Sequence, residues 1–103
     1  GEGTKVVAEQ AHYQAILLAA CPPGARRDIY LLLTQPGADR ISHPHPPGSV
    51  EHIIVTQGKA LVGLTEAPEE LAEGDYICYP GDQAHIFKAL EPDTQAILVA
   101  EQN

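Results

Sequence analysis

The sequence predicts a small all-β fold, a barrel or sandwich, from three features of its 103 residues. Short apolar segments of five to eight residues recur along the chain, and turn-forming Gly and Pro residues separate them. Nine prolines and nine glycines leave no stretch with a sustained helical period. We therefore expect one domain spanning residues 1–103, in which residues 1–12 form an N-terminal extension.

Each expected strand is rich in Ile, Val, Leu or Tyr, the residues that fit a pleated and partly buried surface. In chain order the expected strands are Gln14–Ala20, Asp28–Thr34, Val50–Gln57, Lys59–Thr65, Asp75–Tyr79, Ala84–Ala89 and Thr94–Ala100. The one helical hint is Ala67–Ala72, which is too short to add a layer to the fold.

Several of these strands are apolar on both faces, for example Ile29–Leu33 and Ala96–Val99. A sandwich whose outer faces meet water shows apolar and polar residues in alternation instead. Something must therefore cover part of an outer face. In a chain this short we expect the cover to be a second copy, so the sequence predicts a homodimer.

Charge and cysteine content limit the partners and the compartment. Six Lys and Arg against fourteen Asp and Glu give a net charge of −8, so direct contact with nucleic acid by this chain is not expected. The longest apolar run, Ala15–Cys21, is about a third of the ~20 residues that a membrane-spanning helix needs. Cys21 and Cys78 are expected to be buried thiols in a reducing compartment, which favours the cytoplasm.

Three histidines and one carboxylate are the candidate metal ligands: His43, His45, Glu51 and His85. Residues two apart on an extended segment point to one face, so His43 and His45 can address a common space. Three imidazoles and a carboxylate suit a divalent first-row metal, with zinc, nickel, iron, manganese and copper all open.

The walls of a pocket around this ion are expected to be Ile53, Val55, Tyr79 and Phe87. The first two share a strand face with Glu51, and a carboxylate in such an apolar space is costly unless it is paired or binds a cation. His52 follows Glu51 directly, so we expect it on the opposite face. The sequence offers no further acid, base or nucleophile for catalysis, so no catalytic residue is assigned.

The spacing of these residues resembles the two sequence motifs of the cupin superfamily, over residues from about 28 to 100. The first motif corresponds to Gly37, His43-Pro44-His45, Glu51 and Gly58, and the second to Gly74, Pro80 and His85. The resemblance implies a jelly-roll-type antiparallel β-barrel that holds a metal on the two histidines of the first motif, Glu51 and His85.

Two segments are also similar to the cupin domain of bacterial helix-turn-helix/cupin transcription regulators. They are His45–His52 and Leu71–Asp75, the latter followed by Pro80–His85. The resemblance implies a dimerising domain that senses a small-molecule effector, while a separate helical domain binds DNA. The chain opens Gly-Glu-Gly without Met, so we expect a tag remnant or a piece of a longer chain.

Two other functions remain open at this point. One is a stand-alone, metal-dependent cupin enzyme of the dioxygenase, isomerase or decarboxylase type, because four protein ligands leave about two open positions on an octahedral metal. The other is a metal-free barrel used only for dimerisation.

Overall fold

The strands of the protein pair into two antiparallel sheets that face each other. The computed structural model describes residues 5–10, 13–20, 26–37, 40–42 and 47–102. In these ranges the strands are β1 Lys5–Gln10, β2 Tyr13–Ala19, β3 Arg27–Thr34, β4 Arg40–Ser42, β5 Val50–Gln57, β6 Lys59–Leu64, β7 Glu69–Ala72, β8 Tyr76–Pro80, β9 His85–Ala89 and β10 Thr94–Glu101. The described residues contain no helix, so the all-β prediction is confirmed.

One sheet has six strands in the order β1-β2-β3-β10-β5-β8, and the other has four in the order β4-β9-β6-β7. Strand β10 lies between β3 and β5, so the last strand of the chain is central to the larger sheet. The side chains between the sheets form the core, in which Leu32, Val55 and Val62 are fully buried. This is the layered architecture that a jelly-roll-type barrel requires.

The outer face of the larger sheet carries aliphatic side chains at its centre, as the sequence predicted. At its centre Ile97 of β10 lies opposite Leu31 of β3 and Ile54 of β5. Ile97 and Leu31 are half-buried, whereas Ile54 is 40% exposed. Water therefore reaches a run of aliphatic side chains on the face that points away from the core.

The chain passes from the six-stranded to the four-stranded sheet at Gly58, between β5 and β6. Its φ of +82° favours glycine, and an added Cβ would lie 2.4 Å from Thr94 Oγ1. That hydroxyl donates to the backbone oxygen of Glu91 at 2.7 Å and accepts from the backbone N–H of Lys59 at 3.3 Å, which ties the start of β10 to this corner. Glycine is therefore required here both by the backbone angle and by the close approach of β10.

Three strands, β1, β4 and β7, were not predicted, and β7 corrects the helical hint. Lys5–Gln10 lies within the expected N-terminal extension, yet it pairs with β2 at the edge of the larger sheet. Arg40–Ser42 is a short strand that pairs with β9. The helical hint at Ala67–Ala72 is wrong, because Glu69–Ala72 pairs with β6 as an edge strand and this pairing overrides the helix-favouring composition.

The expectation of buried thiols is also wrong for Cys78, which is a free and exposed cysteine. Its position two residues after Tyr76 in β8 places it on the outer face of the sheet rather than in the core. Cys21 lies outside the described residues.

Candidate metal centre

Glu51 and His85 face each other in the space between the two sheets. Glu51 belongs to β5 of the larger sheet and His85 begins β9 of the smaller one. Both side chains are more than nine-tenths buried, and Glu51 Oε2 lies 3.5 Å from His85 Nε2. This distance is longer than a normal N–H···O hydrogen bond but is within the range of an ion pair.

The other nitrogen of His85 determines what the imidazole offers to Glu51. His85 Nδ1 lies 2.9 Å from the backbone oxygen of Gln83. A carbonyl oxygen only accepts, so Nδ1 carries a hydrogen, and Nε2 is the ring nitrogen that faces the carboxylate. A proton or a cation between Nε2 and the carboxylate oxygen can join the two groups. The pair therefore fits a bound metal ion, which coordinates neutral imidazole and carboxylate oxygen.

Tyr79 holds the second oxygen of the same carboxylate. It lies opposite Glu51 in the pairing of β5 with β8, and its hydroxyl donates to Glu51 Oε1 at 2.5 Å. Burial raises the pKa of Tyr79 far above its usual value, and the neighbouring Glu51 carboxylate raises it further. The hydroxyl therefore remains protonated and remains a donor. The Tyr79 and His85 rings also contact each other, with centroids 5.3 Å apart.

The predicted wall residues Ile53, Val55 and Phe87 are buried together with Tyr79 in one cluster, on the side of the sheets that carries Glu51. Sequence reasoning did not identify Tyr13, whose ring meets that of Phe87 edge-on at 6.0 Å. Tyr13 begins β2, far from either motif, so no spacing in the sequence indicated that it would lie here.

His43 and His45 lie outside the described residues, which resume at Pro47. Within the described ranges no group of three or more His, Cys, Asp or Glu side chains is arranged to hold a metal ion. The structure thus brings together two of the four predicted ligands, Glu51 and His85, and the contribution of the other two stays a prediction.

A second His, Glu and Tyr cluster lies on the outer face of the larger sheet. His52 Nδ1 is 2.7 Å from the Tyr76 hydroxyl, and His52 Nε2 is 2.5 Å from Glu101 Oε1. Arg27 Nε donates to the other oxygen, Glu101 Oε2, at 3.2 Å. The hydrogen bonds from His52 and Arg27 lower the pKa of Glu101. His52 thus points away from the Glu51 side, as its position in the sequence predicted.

Two facing antiparallel sheets with an interior histidine–carboxylate pair define the cupin class of small β-barrels. The sequence agrees: residues 30–100 match the family model described as Cupin domain, so the chain belongs to this family. No curated protein matches the sequence.

Solved structures with the same fold include two from transcriptional regulators. An HTH_3 family transcriptional regulator from Vibrio cholerae is 22% identical, with a TM-score of 0.83 over 89% of this chain and 52% of the regulator. The chain thus spans about half the length of that protein. The cupin domain of an XRE family transcriptional regulator from Enterobacter cloacae is 18% identical, with a TM-score of 0.83 over 89% of this chain and 98% of the domain.

A third similar structure is that of KdgF from Halomonas sp., at 21% identity and a TM-score of 0.77, over 96% of this chain and 88% of the other. At these identities the likeness shows the fold. In the part of the chain that the structure describes, no helix is long and apolar enough to cross a membrane.

Proposed function

We propose that this chain is the metal-binding, effector-sensing and dimerising cupin domain of a transcription regulator whose DNA-binding part lies outside it. The observation that carries the proposal is the buried Glu51–His85 pair, in which a ring nitrogen and a carboxylate oxygen face each other 3.5 Å apart. The likeness to the cupin domains of two transcriptional regulators supports the regulatory part. The net charge of −8 favours a division of labour in which another domain contacts DNA.

In this proposal His43, His45, Glu51 and His85 hold one divalent ion, which is zinc, nickel, iron, manganese or copper. When bound, the ion supplies a Lewis-acidic centre with positions for a small polar molecule. In this proposal Ile53, Val55, Tyr79 and Phe87 form the walls around that molecule: they are buried in one cluster, and the Tyr79 ring contacts that of His85.

Metal analysis of protein prepared without chelator tests the centre. We expect about one equivalent of a transition metal in the wild type and a clear loss of it in Glu51→Ala and His85→Ala. His52→Ala is the matched control, because it removes the neighbouring imidazole on the other face of β5. Less than about a tenth of an equivalent in the wild type, with no shift in Tm on adding Co(II) or Zn(II), contradicts the proposal and favours the metal-free barrel.

The homodimer in this proposal uses the outer face around Leu31, Ile54 and Ile97. Its aliphatic side chains are partly exposed in the single chain, and burying them against a second copy is favourable by about 25 cal/mol per Å². Light scattering should give about twice the chain mass of 11.0 kDa for the wild type and the monomer mass for Ile54→Glu. Leu90→Glu is the control, because Leu90 is similarly exposed and follows β9 of the other sheet. A monomeric wild type contradicts this part of the proposal.

A stand-alone cupin enzyme is the second candidate, because the same buried pair suits Lewis-acid catalysis as well as sensing. Wild-type protein loaded with Fe(II), Mn(II), Ni(II) or Zn(II) and offered small hydroxy acids, thiols or diketones separates the two. A melting shift without product supports the sensor. Metal-dependent product that disappears in His85→Ala supports the enzyme.

A cytoplasmic location is part of the proposal for the regulator domain, because a free and exposed Cys78 suits a reducing compartment.

A further inference from the structure

We infer that Tyr79 is a positioning residue that makes Glu51 a one-oxygen ligand of the bound ion, so that more coordination positions remain open to the effector. The inference rests on the proposed metal centre. It goes beyond that centre by giving a role to a residue that is not one of the defining positions of either cupin-like motif, and that the sequence suggested only as a wall of the pocket.

The two oxygens of Glu51 have different neighbours. Oε1 accepts the hydrogen bond from the Tyr79 hydroxyl at 2.5 Å, whereas Oε2 lies 3.5 Å from His85 Nε2. An ion that binds Nε2 of His85 therefore meets Oε2 first. For Oε1 to join, the carboxylate must turn and distort its short hydrogen bond with Tyr79, which costs more within a buried site than at the surface.

The position of Tyr79 is fixed more firmly than that of a surface donor. The backbone pairing of β5 with β8 sets Tyr79 opposite Glu51, and the ring is buried against His85. The hydroxyl therefore has little freedom to leave the carboxylate when an ion binds. Replacing a residue that hydrogen-bonds to a metal ligand commonly weakens metal affinity by about 10- to 100-fold.

The consequence is chemical. A carboxylate bound through both oxygens occupies two positions of a metal, and a carboxylate bound through one occupies a single position. By keeping Oε1 engaged, Tyr79 leaves one more position for an oxygen- or nitrogen-containing effector. A hydrogen bond from a neighbouring residue thus decides how many groups the ion can accept.

Tyr79→Phe tests the inference, with Tyr76→Phe as the matched control. Both variants remove a hydroxyl from the same strand, β8, but Tyr76 lies on the outer face, where its hydroxyl contacts His52. The probe is Co(II) alone, added to the full chain. Affinity is measured by competition with a coloured chelator, and the binding mode of the carboxylate by its infrared stretching bands on loading.

We expect Tyr79→Phe to bind Co(II) about 10- to 100-fold more weakly than the wild type, with shifted carboxylate bands. Tyr76→Phe should retain wild-type affinity and bands. Wild-type affinity and bands in Tyr79→Phe overturn the inference while leaving the metal centre intact. A wild type that binds no Co(II) overturns the metal centre and the inference with it.

A second measurement does not depend on the folding of Tyr79→Phe. The infrared difference spectrum of the wild type with and without Co(II), compared with that of Glu51→Gln, isolates the bands of the Glu51 carboxylate. The wide separation of symmetric and antisymmetric stretches that marks one-oxygen binding supports the inference. The narrow separation that marks two-oxygen binding overturns it.

Discussion

The same three residue types, Tyr, His and Glu, meet on the inner and on the outer side of strands β5 and β8, in two different environments. Inside, Tyr79 and His85 flank Glu51, and all three are buried. Outside, Tyr76 and Glu101 flank His52, and water reaches the cluster. Burial, and not the set of residues, separates a candidate metal centre from a surface network.

The difference has an energetic basis. Removing the partner of a buried carboxylate leaves that carboxylate in a medium that solvates it poorly, whereas an exposed carboxylate is solvated by water. The same substitution should therefore cost much more inside than outside. Four measurements test this comparison.

The largest contrast is expected between the two histidines. In metal-free protein at neutral pH, His85→Ala should lower the free energy of unfolding by about 3–5 kcal/mol, because it leaves the buried Glu51 carboxylate without that imidazole. His52→Ala should cost about 1 kcal/mol or less, since its partner Glu101 is partly exposed. Urea unfolding at equal protein concentration measures both, and equal costs would falsify the comparison.

The two tyrosines should differ in the same direction but by less: the inner substitution should cost more stability than the outer one. Tyr79→Phe removes a donor from a buried acceptor and should cost about 1–3 kcal/mol in metal-free protein. Tyr76→Phe removes a hydroxyl from a side chain that is 56% exposed and should cost about 0.5 kcal/mol or less. Thermal unfolding followed by circular dichroism tests the order, and a larger loss for Tyr76→Phe contradicts it.

Ser49 provides the opposite case, because burying a hydroxyl without a hydrogen-bond partner is unfavourable. Its hydroxyl is buried and has no hydrogen-bond partner among the residues that the structure describes. Ser49→Ala removes that hydroxyl and should leave stability unchanged or raise it by about 1 kcal/mol. Urea unfolding is the measurement, and a loss above about 1 kcal/mol contradicts the assignment of Ser49 as an unsatisfied group.

The smallest effect is the pH dependence of the outer cluster. The folded-state pKa of Glu101 is lowered by His52 and Arg27, so its contribution to stability is full above the unfolded value of about 4.3. It decreases as the pH falls from there through the lowered folded-state pKa. The difference in Tm between wild type and Glu101→Gln should therefore shrink on acidification from neutral pH to about pH 3. A difference that is the same at both ends contradicts the role of Glu101.

The sequence predicted the parts of the fold that depend on local pattern. Val50–Gln57 was predicted with its observed bounds, because its content of Ile and Val and the following Gly58 mark it clearly. Arg40–Ser42 and Glu69–Ala72 were missed because they become strands only by pairing with β9 and β6. Their own residues favour no extended structure strongly enough to be recognised.

The candidate site could likewise be predicted from the sequence only in part. The sequence predicted that Glu51 lies inside the barrel, because Glu51 shares a strand face with Ile53, and it predicted His85 from its place in the second motif. The sequence did not predict that Tyr79 donates a hydrogen bond to Glu51. That contact depends on the strand register that pairs Glu51 with Tyr79, 28 positions away. Contacts between distant residues depend on how the sheets close, which local spacing does not encode.

The central place of β10 in the larger sheet has a consequence for synthesis on the ribosome. Strand β10 joins β3 to β5, so until it emerges the sheet is divided into β1-β2-β3 on one side and β5-β8 on the other. The nascent chain must wait with two unpaired, apolar strand edges exposed, which is the condition that favours aggregation and chaperone capture. The delay between the emergence of β5 and that of β10 should therefore influence the yield of folded protein more than its final stability.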